Sequence, residues 1–323
     1  MTLAPIPALL AVLFCAALFV LLFQYLFPRR APWTLAAVAV LAGIIWTVAL
    51  SEILHRFVAP GLSGLDGLDS FSSSLPFAIL RVGLPEEGAK ALAALVALSP
   101  FWRRVTPAQA FQASLFAAIG FAIVENQGYS TAFSDAAMLM AFGRGFLATL
   151  THSLLAMIFG RFLMRFAARG WRSWHLLIIG YLVAAGCHAI YDAGMLPILS
   201  EYLRTKTVSM PTLLTATPIV IFGVGLVLIA GLWSLRRAIR IAARDDMVTI
   251  EAHHQAVVRR WRWSGNALMI LGILGLVGAI VSAAIKESPH PEMPDMQSAV
   301  AAAIGFAGAI FGIILGWVLR QKR

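Results

Sequence analysis

The stretch Leu84–Leu98, LPEEGAKALAALVAL, decides how the rest of the chain is read. Glu86, Glu87 and Lys90 stand inside a run that is otherwise apolar. An ionisable side chain at bilayer depth is costly, so it marks a functional candidate by default. On a helix Lys90 lies one turn beyond both carboxylates, at i+4 from Glu86 and i+3 from Glu87. Three more polar clusters occur at comparable depth in later apolar runs: Glu125 with Asn126, Arg144 with His152, and His188 with Asp192. The chain reads as one built to bring these four helices together.

Composition supports the membrane reading. The 323 residues are 60% hydrophobic and 12% charged, with a mean hydropathy of +0.84. Soluble domains carry about 25% charged residues, so no soluble class competes. The formal charge of +10 does not point to nucleic acid, because the basic residues fall in short clusters between apolar runs, as a topology signal does. Cys15 and Cys187 both lie in apolar runs and read as small buried residues rather than a disulfide.

A membrane-spanning helix needs about 20 apolar residues. Nine runs qualify: 6–27, 33–55, 75–98, 108–127, 138–163, 173–196, 212–235, 265–285 and 298–319. They are too long and too little alternating for barrel strands. The expected fold is therefore all-α, a polytopic transmembrane helix bundle in a single integral membrane domain over 1–323. The first run has no basic n-region or convincing cleavage site and reads as a retained span. With the N-terminus outside, 18 Lys and Arg fall on the inner side, four fall outside, and Arg81, Lys90 and Arg144 lie within spans. That bias predicts N-out and C-in with an odd number of spans.

The connecting segments are less informative. Loop Ala59–Ser74 is rich in Gly and Ser and reads as an external connector. Segment 236–262, with seven arginines, His253, His254, Trp261 and Trp263, suggests an amphipathic helix on the inner surface of the bilayer, where arginine meets anionic lipid. Its paired histidines read as a solvated face. Pro85 near the middle of the third run predicts a kink or break at Gly83–Pro85, with a half-helix start favouring the two carboxylates.

The polar clusters carry chemistry in combination. Paired carboxylates beside a lysine suit the activation of water. Asn126 offers a donor and an acceptor, to hold a carbonyl or orient Glu125. Arg144 and His152 are eight residues apart, roughly on one face, and His188 and Asp192 are at i and i+4. A carboxylate there can fix an imidazole tautomer or share a metal with it. The catalytic core is expected over 75–196, with one outward-opening cavity. Scaffold spans at 6–55 and 212–319 flank it.

In order and spacing, Glu86-Glu87-x-x-Lys90, Phe121-x-x-x-Glu125-Asn126, Arg144 with His152, and His188-x-x-x-Asp192 resemble the PrsW family of intramembrane proteases. That family belongs to a superfamily with the CAAX-prenyl endopeptidases and the bacterial Abi proteins. The resemblance covers roughly residues 75–196 and implies endoproteolysis of a membrane-anchored protein such as an anti-sigma factor. It places catalytic roles on Glu86, Glu87, Glu125, His152 and His188, with Lys90, Asn126, Arg144 and Asp192 in support.

Two versions of the chemistry are compatible with these residues. In a metal-free version Glu86 or Glu87 deprotonates water, while His152 or His188 positions it or protonates the leaving amine. In a zinc version His152, His188 and Glu125 or Asp192 bind the ion, and Glu86 or Glu87 acts as base. The lack of an HExxH motif favours the metal-free version, with no cofactor. The rivals from other classes are an ion- or proton-coupled transporter or channel, and a scaffold whose polar groups only join helices. No paired halves of a transporter are visible. The expected location is the bacterial cytoplasmic (inner) membrane, multi-pass, with the lipid bilayer as a partner and no nucleic acid.

Overall fold

Proline 85 does not break its helix. In a computed structural model of the chain, which describes residues 6–27, 30–57, 67–102, 104–132, 137–205 and 208–246, helical backbone runs unbroken from Phe71 to Leu98. It comprises α3 (Phe71–Phe77), a π-helical segment (Ala78–Gly83) and α4 (Leu84–Leu98). A proline ring clashes with the carbonyl four residues earlier, here that of Arg81. The wider π turn relieves that clash: the Leu84 N–H reaches back five residues to the Ile79 carbonyl. The expected half-helix start at Glu86 is therefore corrected. The carboxylates are displayed by a register shift inside a continuous helix.

The same helix starts earlier than the apolar run suggests. Ser70 caps α3 reciprocally with Ser73: the Ser73 N–H donates to Ser70 Oγ at 3.3 Å, and the Ser70 N–H donates to Ser73 Oγ at 3.2 Å. The end of the segment read as a connector is thus a helix start.

The other helices are α1 (Ile6–Leu26), α2 (Trp33–Phe57), α5 (Pro107–Ala132), α6 (Ala137–Arg169), α7 (His175–Thr205) and α8 (Met210–Asp246). No strand occurs among the described residues. Within these residues six helices are long and apolar enough to cross a membrane. Phe71–Leu98 stands apart from them, because it carries Arg81, Glu86, Glu87 and Lys90. The two runs at 265–285 and 298–319 lie outside the described residues, as do His253, His254, Trp261 and Trp263. α8 continues through Asp246, so the start of the segment read as a separate surface helix extends the preceding apolar helix.

The described residues fall into two compact units. One holds α1, α5 from Glu125, α6 up to Leu150 and α8 from Ile239. The other holds Arg30–Val124 and Thr151–Ala238. In the second unit, α5 buries Phe111, Leu115, Phe116 and Ile119 completely, while α2 and α8 expose Leu41, Ile45, Ile221, Phe222 and Ile229. Large exposed aliphatic residues suit a lipid solvent.

Small residues let the backbones of this unit approach closely, as membrane helices do. A Cβ on Gly43 of α2 would run into the Ala117 carbonyl of α5, and one on Gly120 would run into the Val40 carbonyl. α2 also packs on α4, and α7 packs along α3, the π segment and α4. Ala78, Ala189, Ala193 and Leu196 form a shared core there, with Phe71, Leu75 and Phe77 against it. Cys15 and Cys187 are free and buried, as read from their apolar surroundings.

Candidate active site

One helix supplies most of the charge. α4 presents Glu86, Glu87 and Lys90 within its first two turns, and two neighbours bring imidazoles to them. Gly83 permits the approach of α7: a Cβ there would stand 2.5 Å from the Ala185 carbonyl and 3.3 Å from Ala189 Cβ. Ala185 and Ala189 bracket His188 in sequence, so the contact delivers His188 to the carboxylates. α6 brings His152 from the other direction.

The result is a dense polar cluster. Lys90 Nζ donates to Glu87 Oε1 at 2.6 Å and to His152 Nδ1 at 2.9 Å, and lies 3.8 Å from Glu86 Oε2. His188 Nδ1 lies 2.9 Å from the same Glu87 oxygen. His188 Nε2 lies 3.2 Å from Asp192 Oδ2 and 3.8 Å from Glu86 Oε2. The two imidazoles meet edge to face, with ring centres 5.6 Å apart. Glu87, Lys90, His152 and His188 are each 4% exposed or less, whereas the side chains of Glu86 and Asp192 are 19% exposed. Glu86 and Asp192 are therefore the more open members of the cluster.

Hydrogen-bond logic assigns the rings. Lys90 has only donors, so His152 Nδ1 accepts its bond and the ring proton sits on Nε2. His188 has a carboxylate oxygen at each nitrogen, and only the imidazolium donates from both. Glu87 Oε1 takes two donors and serves as the hub of the cluster.

Two aromatic residues complete the site. Phe121 of α5 lies under the ammonium, with Lys90 Nζ 4.2 Å from its ring centre, and meets the His152 ring at 5.0 Å. Tyr181 donates to the Leu84 carbonyl at 2.9 Å, and its ring stands 3.6 Å from a Cβ position on Gly88. Sequence reasoning gave neither aromatic a role. The helical spacing of Tyr181, Ala185, His188 and Asp192, at i, i+4, i+7 and i+11, would have shown the common face.

Six of the nine residues singled out from the sequence meet here: Glu86, Glu87, Lys90, His152, His188 and Asp192. Glu125, Asn126 and Arg144 belong to the other unit. There Arg144 Nη2 donates to Glu125 Oε1 at 2.9 Å, the guanidinium stacks on Tyr129 at 3.5 Å, and Asn126 Nδ2 donates to Thr149 Oγ1 at 3.3 Å.

Glu86, His152 and His188 could also hold a metal ion, since one ligand atom from each lies within 4.8 Å of the others. Zinc at about 2.0–2.1 Å from nitrogen draws its ligands closer together than that. His188 suits such a role once it gives up the Nε2 proton that it directs at Asp192, because Glu87 would then orient the ring from behind through Nδ1. His152 does not, as arranged. The ammonium of Lys90 occupies its Nδ1 lone pair, and the proton on Nε2 blocks the other nitrogen. The three-residue donor set therefore does not fit zinc unless Lys90 leaves.

A buried cluster of carboxylates, lysine and imidazoles on apolar helices gathers the groups that a membrane-embedded hydrolase needs. Residues 31–228, more than half of the chain, match the family described as PrsW family intramembrane metalloprotease. The chain belongs to the PrsW family and is an intramembrane protease. No curated protein and no solved structure matches it.

Proposed function

We propose that the protein cuts a membrane-anchored protein, such as an anti-sigma factor, at a peptide bond on the outer side of the bacterial cytoplasmic membrane, with Glu86 as the base. The observation that carries this is the convergence of α4, α6 and α7 on one polar cluster, in which Glu86 is the accessible glutamate. Glu87 is enclosed and both its neighbours bond to one oxygen, so it holds Lys90 and His188 in place. The outer side follows from the distribution of Lys and Arg.

The chemistry then balances without a further group. Glu86 takes a proton from water as the oxygen attacks the scissile carbonyl. The His152 Nε2–H donates to the oxyanion that forms. The proton held by Glu86 passes to the amide nitrogen, the C–N bond breaks, and a carboxylate and an amine leave. Lys90 fixes the His152 tautomer in which Nε2 is the donor and supplies the local positive charge. In this reading it takes the place that a metal ion would need.

Cleavage is tested with purified protein in detergent and a membrane-anchored peptide, with products weighed by mass spectrometry. E86Q should fold and lose about 10²–10⁴-fold of the rate, the worth of a general base. Ion flux with no cleavage by the wild type would favour a transporter instead. Metal dependence is a separate measurement. Elemental analysis of active protein should find no stoichiometric transition metal, and a strong chelator should leave the rate unchanged. A stoichiometric ion whose removal abolishes cutting would place His152 and His188 on a metal and end the role given to Lys90.

A further inference from the structure

Arg161 of α6 is 8% exposed, and its Nε finds no hydrogen-bond partner. Its guanidinium lies flat over the Trp233 ring of α8, 3.3 Å from the centre. The nearby charges are of the wrong sign to neutralise it: Arg165 and Arg237 both act on it electrostatically. No carboxylate pairs with it among the described residues. A largely buried cation without a counter-charge is costly, and the charged neighbours of Arg161 among the described residues are two further arginines. The arrangement makes sense when an anion completes it.

The position narrows the anion. Arg161 lies eight residues before the end of α6 at Arg169, about 12 Å along the axis. Trp233, 54% exposed, lies beside Arg161, and Trp171 and Trp174, 79% and 52% exposed, follow the end of α6. Exposed tryptophans are enriched toward a membrane–water interface. α6 and α8 are in backbone contact just before this point, where a Cβ on Gly231 would meet the Leu154 carbonyl at 2.9 Å. Arg165 is half-buried one turn on from Arg161, and Arg237 is exposed one turn on from Trp233. A group entering from the lipid interface would meet the exposed arginine first and the buried one last. Arginine forks suit phosphate oxygens.

We propose that Arg161, Arg165 and Arg237 form a phosphate seat between α6 and α8. Under the orientation set by the basic residues, this end faces the anionic inner leaflet. The phosphate comes from an anionic lipid headgroup or from free phosphate. Native mass spectrometry of the purified full chain separates the two.

The protein is titrated with phosphatidylglycerol against a phosphatidylcholine background, with and without inorganic phosphate in excess. The wild type should retain one phosphatidylglycerol roughly tenfold more tightly than R165Q or R237Q, with no such difference for phosphatidylcholine. Because R165Q and R237Q change partly or fully exposed side chains, their folding is not at risk, and R161Q is then the stronger version of the same test. Displacement of the lipid by inorganic phosphate would show that the phosphate group alone is read. Resistance to it would show that the lipid's own headgroup and chains are needed. Equal retention of phosphatidylglycerol by wild type, R165Q and R237Q overturns the proposal.

Discussion

Two sets of polar residues, each taken within its own compact unit, occupy apolar helices of this chain, and they are built differently. In the first, Glu87, Lys90, His152 and His188 are nearly enclosed, and each is bonded to at least one residue from the cluster. In the second, Arg144 donates to Glu125 at 2.9 Å, their side chains are 31% and 19% exposed, and Tyr129 lies against the guanidinium. Both mark the depth at which a sequence places charge in a membrane. Only the first combines a partly exposed carboxylate, an ammonium and two oriented imidazoles. Charge at depth identifies candidates, and the variety of functional groups in mutual contact ranks them.

The sharpest test of that distinction lies inside the first cluster, between adjacent glutamates. E86Q should abolish most cleavage and leave the melting temperature near wild type, because Glu86 is at its rim. E87Q removes the charge shared by Lys90 and His188, leaving Lys90 with Glu86 at 3.8 Å and His188 with Asp192 at 3.2 Å, and breaking a buried pair costs about 3–5 kcal/mol. Thermal unfolding in detergent should show that loss even where activity is not measured. If E87Q keeps its stability while losing cleavage, and E86Q keeps its activity, the base is Glu87 and the assignment reverses.

A step smaller is the effect expected at His152. Loss of an oxyanion donor costs about 10²–10³-fold in rate, so H152A should retain more activity than E86Q. K90R keeps a cation that can donate to Nδ1, whereas K90M removes both the charge and the tautomer lock. Activity should fall in the order wild type, K90R, K90M, with kcat affected more than KM. Equal loss in K90R and K90M would mean that Lys90 serves packing alone.

Much of the site was readable beforehand, for a physical reason. Intramembrane charge is rare enough that Glu86, Glu87, Lys90, His152, His188 and Asp192 stand out from a background of Leu, Ala and Val. The helical class followed from run length, and the pairing of His188 with Asp192 from their spacing. What could not be read was rotation. Spacing states which residues share a face of one helix, but not which face meets the neighbour. The bond from Lys90 to His152 joins residues on separate helices, and nothing local announces it. The π segment was hidden for a related reason: Pro85 signals strain, but whether a helix breaks or widens depends on what packs against it. Here Ala185 of α7 lies directly on Gly83 and leaves no room for a gap. The helix start at Phe71 was hidden among serines that also suit a loop.

That close contact yields a prediction about stability. G83V would drive two γ carbons toward the Ala185 carbonyl, which is backbone and cannot turn aside. A cost of about 1–3 kcal/mol is expected from overpacking, read as a lowered melting temperature. G83A should show a smaller loss in the same direction. Cleavage should fall with both, because His188 is carried by the same helix face. If either variant melts like the wild type, the approach of α7 to the π segment is looser than the geometry indicates.

The smallest effects are expected in the second cluster. A partly exposed ion pair is worth about 0–1 kcal/mol, so E125Q and R144Q should each lower the melting temperature slightly. Their cleavage rates should remain within a few-fold of wild type, far above that of E86Q. This comparison can fail in an informative way. If E125Q abolished cleavage while its stability stayed near wild type, Glu125 would act on the substrate as its motif position suggests. The ranking by variety of functional groups would then fail for this chain, and R144Q would become the variant to examine, because Arg144 would be orienting a catalytic carboxylate.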